Sequence, residues 1–483
     1  MTTVRGVPRL VVSGLSGDSG KTLVSLALLL AVRDRGLPVC AFKKGPDYID
    51  SAWLAWASGR PARNLDTFLM GADIARASFV RHALATGLNL IEGNRGLFDG
   101  VDAAGTHSTA VLARTLGAPI LLVVDARKTT RTVAACILGC QMLGRDVRIV
   151  GVILNRVSGR RHEAVLRESV ESLCDLPVLG VVPRAAGDVL LPGRHLGLVP
   201  PEEHTGVDEL GSRVRELMEG GLAINHILAI ARGASAIDPA ATLPAERDRH
   251  GGPAQAGGAG LRIGYLRDSA FTFYYPENLE AIEAAGARLI AISALSDREL
   301  PADLDTLYIG GGFPETHGVA LSKNRSFLES LRLRAEGGMP VYAECGGLML
   351  LSRGVRWQGR AHQMAGVLPF DVEVCTEPQG HGYTLLDVDR PNPFFAPGLA
   401  LRGHEFHYSR ILPERELPET ACAVRRGTGS YAGRDGVTVH NVWASYTHLH
   451  ALGTPEWAEA LLGAAGRHAE ARRARCAPDG ADP

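Results

Sequence analysis

A chain of 483 residues is longer than one hydrophobic core sustains, so two domains are expected, each able to bury a core of its own. Its 51 Lys and Arg offset 52 Asp and Glu to a formal net charge of −1, with no basic stretch dense enough to follow a nucleic-acid backbone or an anionic membrane surface. Nucleic acid and membrane are therefore excluded from the expected partners. The eight cysteines are scattered without a Cys-x-x-Cys pair, and the longest apolar stretch, 23–32, is far shorter than the roughly 20 residues of a spanning helix. With a strand-like segment already at residues 10–12, a cytoplasmic location is expected.

From residue 9 to 182, short apolar runs at 10–13, 39–42, 88–91, 120–124, 149–154 and 178–182 alternate with longer amphipathic segments. Continuous apolar strands separated by helices predict an α/β, doubly wound, mostly parallel sheet. The segment SGLSGDSGKT (13–22) follows the first run and opens a helix over 22–33, the setting in which a P-loop binds phosphate. The loop amides, with those of Gly17, Ser19 and Gly20 among them, would face the phosphates of ATP, Lys21 would reach the terminal ones, and Thr22 would ligate Mg²⁺. The strict motif has glycine at position 15; this chain has Leu15, with the glycine at Gly14.

A Mg²⁺-nucleotide site needs further acidic ligands at the carboxyl ends of the same sheet. Asp47, just after the second run, and Glu92, at the end of the third, are placed for it and join Thr22 as the expected metal ligands. Asp66 and Asp99 are weaker on spacing alone, since Asp-Gly is chiefly a turn signal.

Residues 232–260 shift to Ala, Gly, Pro and charge and are expected as a linker between domains 1–231 and 261–465, with 466–483 as a frayed tail. The second domain restarts an α/β pattern at 262–266, 307–309 and 341–342. Cys345, in PVYAECGGLM, has the form of a nucleophile at a strand-to-helix turn, where a helix N-terminus is expected to lower its thiol pKa. Gly311 and Gly312, in the run Gly310-Gly311-Gly312, are candidate oxyanion donors, and His448 is the candidate base, with His450, His404 and His407 in competition.

With these residues assembled, the chain resembles the cobyrinate a,c-diamide synthase family, corrin-ring amidases that join a dethiobiotin-synthetase-like ATPase domain to a class I glutamine amidotransferase domain. KGPDYID, GRPARNLD, EGNRGLFDG, YAECGGLMLL, RGHEFHYS and ASYTHLH carry the likeness in the family's order. The resemblance implies Cys345 as the glutaminase nucleophile, His448 as its activator, and Asp47, Tyr48, Asp66, Glu92 and Asp99 in the nucleotide and tetrapyrrole-carboxylate site. It also implies L-glutamine and a tetrapyrrole dicarboxylate as substrates, with a homodimer as the assembly to test.

Two departures stand out. Class I amidotransferases ordinarily carry a glutamate two residues after the histidine, where this chain has His450, so a Cys-His dyad is indicated with its third member unassigned. The family's acidic strand reads Glu-Gly-Val-Met-Gly-Leu-Phe-Asp-Gly, whereas this chain has Asn94-Arg95 in place of Val-Met, which keeps sirohaem and nickel-sirohydrochlorin open as substrates. A P-loop switch protein without amidation activity is the reading from a different class.

Overall fold

The six apolar runs of the first half all become strands of one sheet, because buried parallel strands need apolar side chains on both faces. In the computed structural model, which describes residues 6–184, 193–194, 197–218, 220–237, 258–412 and 416–476, these are β1 (Arg9–Gly14), β2 (Val39–Lys44), β4 (Leu88–Gly96), β5 (Ile120–Asp125), β6 (Ile149–Val157) and β7 (Val178–Pro183). A short strand, β3 (Arg63–Leu65), joins them at one edge, giving the parallel order β3-β2-β4-β1-β5-β6-β7. It was not expected, since Arg63-Asn64-Leu65 offers no apolar run. Helix α1 (Lys21–Arg33) lies against the sheet and is covered by the helix Val207–Met218, which is why it is apolar almost all round.

The register sets the first site. Val12 of β1 and Lys43 of β2 both pair with Glu92, which therefore sits inside β4 between its two neighbours rather than at a strand end. The third apolar run is the fourth strand of the chain, and its polar continuation to Gly96 was hidden by the absence of hydrophobic residues after Ile91.

The chain divides into two compact units, Met1–Glu246 and Arg247–Pro483. In the second, strands Arg288–Ile292, Arg262–Leu266, Thr306–Ile309, Val341–Glu344 and Val442–Ser445 run parallel. The same ten-stranded sheet continues antiparallel through Arg434–Val439, Glu419–Arg426, Gly380–Val388, Ala400–His407 and His448–Leu449. This antiparallel half escaped the sequence reading because strands such as GHGYTLLDV mix polar and apolar residues. Behind the sheet, Tyr308, Tyr342, Trp443 and Trp457 form a buried aromatic cluster, with Tyr342 and Trp443 stacked at an interplanar angle of 3°.

Two expected boundaries need correction. Residues 466–476 are not tail: the helix Glu456–Cys476 continues through them, because the stripe Trp457, Leu461, Ala465, Ala469 repeats every fourth residue and stays buried. The start of the expected linker is also ordered. Ala234 and Ile237 are buried, and the interior side chain of Arg9 donates from Nη2 to Ser235 O at 2.6 Å and from Nε to Leu116 O at 2.6 Å. The rest of that linker, 238–257, and 477–483 of the tail lie outside the described residues. Among the described residues no helix is long and apolar enough to cross a membrane.

Arg9 also reaches Val7 O and Gly117 O, so a single guanidinium holds carbonyls from three parts of the chain. Replacing it by methionine keeps the volume but strands these buried acceptors. Arg9→Met is expected to cost about 2 to 4 kcal/mol of stability, seen as a lower midpoint in urea denaturation of the full chain; an unchanged midpoint would show that the carbonyl contacts contribute nothing.

Candidate active sites

The loop after β1 is shaped by two constraints. Gly20 has φ 94°, and a Cβ there would lie 2.0 Å from Asn155 Nδ2, so only glycine fits. Asn155, near the end of β6, donates from Nδ2 to Ser19 O at 2.9 Å, while Ser19 buries its side chain against Gly14. Arg156 donates to Asp18 O and to Asp125 Oδ2, both at 2.7 Å, and so braces the loop from β5 and β6. Neither Asn155 nor Arg156 was singled out in the sequence, since both are far from the loop along the chain.

Beside the loop, polar side chains are packed as in a core. Thr22 Oγ1 donates to Glu92 Oε1 at 3.0 Å. Lys43 donates to the same oxygen at 2.7 Å and to Asp50 Oδ2 at 2.5 Å. Burial acts against the charge on Lys43, but Asp50, Glu92 and Asp47 outweigh it and hold the ammonium well above its ordinary range. Burial pushes the Glu92 carboxyl up, against the pull of Lys43 and of the Ser25 hydroxyl. Lys21 is lowered by burial and then by Lys43, and its Nζ donates to Ser16 O at 3.0 Å. Lys43 is the residue the sequence reading missed here: a lysine ending an apolar strand looks like an ordinary solvated end, and only the register with Glu92 reveals it.

Asp47 is the N-cap of helix α2 (Tyr48–Ser58), its Oδ1 accepting from Asp50 N at 2.8 Å. Burial, followed by the neighbouring Asp50, raises its pKa to about 7. Lys21, Thr22, Asp47, Asn94 and Arg95 all line a cavity of about 700 Å³, with Gly17 and Gly20 at its mouth. Tyr48 begins α2 and is half-buried. Ser19, Tyr48, Glu92, Asp66 and Asp99 are not part of that lining: Glu92 is wholly buried, Asp66 is buried and its Oδ1 accepts from Phe68 N and Leu69 N, and Asp99 is exposed and accepts from Gly96 N.

The residues present suit a hard divalent cation. The Glu92 carboxylate and the Thr22 hydroxyl beside it form an all-oxygen donor pair, and Mg²⁺ is held by one or two such groups together with phosphate oxygens and water. Among the described residues no group of three His, Cys, Asp or Glu side chains converges on a point.

In the second unit, strand Val341–Glu344 ends at Cys345, whose φ of 47° and ψ of −95° turn the chain into the six-residue helix Gly346–Leu351. The Cys345 N–H donates to Ser445 O of the neighbouring strand at 2.7 Å, pinning the elbow. The expected fall in thiol pKa is overturned: the sulfur is buried, and burial followed by Glu315 pushes it up, with only the Gly346 N–H pulling the other way. A single short helix turn does not offset the loss of water.

The glycine loop lies between that elbow and His448. A Cβ on Gly311 would come 2.7 Å from His448 Cε1, and one on Gly346 would come 3.0 Å from Gly312 N. Gly311 thus lies against His448, and Gly312 against Gly346, the residue that follows Cys345. His448 Nδ1 lies 3.2 Å from Glu344 Oε2. His404 stacks on His448 with ring centroids 5.0 Å apart and is held neutral by burial and by His448 itself. His407 faces Ser409 O and stacks on Tyr446, and His450 packs on Tyr275 with Nε2 3.6 Å from Glu277. Of the four candidate histidines, His448 is the one seated on the glycine loop.

Comparison with known proteins agrees with this division. Residues 10–199 match the model of the CobQ/CobB/MinD/ParA nucleotide binding domain, and residues 262–456 match that of the CobB/CobQ-like glutamine amidotransferase domain. The cobyrinate a,c-diamide synthase of Magnetococcus marinus is 43% identical, the match covering 94% of this chain and 96% of the relative. Proteins of the same name from Methanosarcina acetivorans, at 37% identity over 98% of each chain, and from Salmonella typhimurium, at 36% over 95% of this chain and 98% of the relative, are similar along their whole length.

The raised pKa of Asp47 has a thermodynamic signature. The folded chain retains a proton on Asp47 that the unfolded chain releases near pH 4, so this residue costs stability progressively as pH rises to about 7 and fully above it. Asp47→Asn keeps a cap acceptor without the ionisation. In nucleotide-free protein its melting temperature relative to the unsubstituted chain should therefore climb between pH 4 and pH 8, and a constant difference across that range would contradict the assignment.

Proposed function

We propose that this chain, which belongs to the cobyrinate a,c-diamide synthase family, uses ATP and glutamine to convert the a and c acetate carboxylates of a corrin-type tetrapyrrole into amides through an acyl phosphate. The observation that carries the reading is the presence in one chain of two sites: a phosphate loop whose Thr22 meets the buried Glu92, and a cysteine elbow that shares a glycine loop with His448. Each belongs to its own compact unit.

A carboxylate resists ammonia because oxide is a poor leaving group, and phosphorylation supplies a better one. In this reading the acetate oxygen attacks the terminal phosphorus, the bond to ADP breaks, and ammonia then displaces phosphate. Lys21 and the amides of Gly17 and Gly20 at the cavity, with that of Ser19, would hold the phosphate charge, and Thr22, Asp47 and the buried Glu92 on which Thr22 rests would hold Mg²⁺. When bound, Mg²⁺ supplies positive charge against the phosphoryl oxygens. Lys43 keeps Glu92 and Asp50 fixed and partly neutralised while that charge comes and goes. Asp66 and Asp99 support the site through the turns they cap, a narrower role than the resemblance implies.

Cys345 supplies the ammonia. Because the buried sulfur rests as a thiol, its proton passes to His448 as sulfur attacks the side-chain amide of glutamine, and the same proton leaves on ammonia. The amides of Gly311 and Gly312 receive the developing oxyanion, and water cleaves the thioester to glutamate.

Asn94 and Arg95 on the cavity wall favour a second reading of the substrate, in which sirohaem or nickel-sirohydrochlorin is amidated at the corresponding acetates. Incubating the chain with ATP, Mg²⁺ and glutamine against cobyrinate, hydrogenobyrinate, sirohaem and nickel-sirohydrochlorin, and counting added amides by mass spectrometry, decides between them.

The division of labour makes opposite variants diagnostic. Cys345→Ala should abolish synthesis driven by glutamine, by about 1,000-fold or more, while sparing synthesis driven by high ammonium. Lys21→Ala should end amide formation from either nitrogen source and leave glutamate release measurable. Loss of ammonium-driven synthesis in folded Cys345→Ala would contradict the scheme.

A further inference from the structure

Resting on the reading of Cys345 and His448 as a glutaminase pair, one question stays open: a histidine that must accept a proton at one ring nitrogen needs its other nitrogen fixed by an acceptor. The position where class I amidotransferases carry that acceptor is taken by His450, which is turned toward Glu277 and Tyr275. Two other buried carboxylates in this unit are committed elsewhere. Glu405 accepts from Thr428 N and Gly429 N, and Asp435 accepts from Ser430 Oγ, Gly436 N, Tyr446 N and Thr447 N.

We propose that Glu344, the residue immediately before the nucleophile, is the positioning carboxylate that orients His448 and completes a Cys-His-Glu triad. Its Oε2 lies 3.2 Å from His448 Nδ1, and both residues are almost wholly buried. Its Oε1 accepts from Leu449 N at 3.1 Å, the residue next to the histidine, so the carboxylate grips both the ring and the backbone that carries it. Tyr342 OH donates to Oε1 at 3.2 Å and Tyr308 OH to Oε2 at 3.4 Å. Burial, with Glu344 itself next in order, raises both phenols well above their ordinary pKa, so they stay hydroxyl donors. A carboxylate surrounded by donors can only accept. His448 therefore carries its proton on Nδ1 and presents Nε2 as the acceptor, and the Cε1–Nε2 edge is the one lying against Gly311.

The strand geometry explains why this position serves. Tyr342 and Glu344 project to the same face because side chains alternate along Val341–Glu344. The left-handed φ of Cys345 then ends the alternation at the next residue, so nucleophile and orienting carboxylate come from adjacent positions without occupying the same space.

The test separates orientation from folding. Glu344→Gln preserves shape, but its amide donates as well as accepts and so admits the wrong tautomer of His448. Glutamate release by the full-length variant should fall in kcat by about 100-fold or more, with KM for glutamine changed less than about twofold and alkylation of Cys345 by iodoacetamide slowed in parallel. Ammonium-driven amidation should be unchanged, which shows that the chain is folded. Should Glu344→Gln be insoluble, Glu344→Asp keeps the charge but withdraws it by one methylene and should lose at least about tenfold in kcat. A soluble variant with glutaminase kcat within about threefold of the unsubstituted chain, or an equal loss of ammonium-driven synthesis, overturns the assignment. An unsubstituted chain that releases no glutamate at all overturns the glutaminase reading and this inference with it.

Discussion

Everything in the first unit is arranged around one carboxylate that has no business being charged where it is. Glu92 is wholly buried inside a strand, and taking an ion out of water costs several kcal/mol unless partners replace the solvent. Lys43 from the adjacent strand and Thr22 from the helix behind the loop provide those partners, and both contacts fall on the same oxygen. The register that aligns Val12, Lys43 and Glu92 makes the position of that carboxylate beside the loop a property of the sheet rather than of a mobile side chain.

The second unit solves a comparable problem in reverse. There the buried carboxyl group of Glu344 is surrounded by Tyr308, Tyr342, Leu449 N and His448, so in the reading proposed above it serves to hold rather than to bind. Both residues are glutamates on central parallel strands, and what differs is which side chains the neighbouring strands place against them.

How much of this could be read from the chain depends on the range of the signal. The six apolar runs of the first sheet, the P-loop, the elbow at Cys345 and the pairing of function with units were legible because each is local, a matter of consecutive residues with a fixed chemical meaning. What was hidden is what depends on register. Lys43 and Asn155 gain their roles only once β2, β4 and β6 are laid side by side, and nothing within a few residues of either announces it. The antiparallel half of the second sheet was missed because its strands are amphipathic and irregular, and the thiol of Cys345 was misjudged because a helix N-terminus is visible in sequence while the burial that outweighs it is not.

That burial has a further effect on how durable the chain is. Peroxide and other oxidants react with thiolates far faster than with thiols, and the first oxidation step on cysteine is the gateway to irreversible sulfinic and sulfonic acids. A sulfur that lies 6% exposed, with its pKa pushed up by burial, is kept in the slower-reacting thiol form.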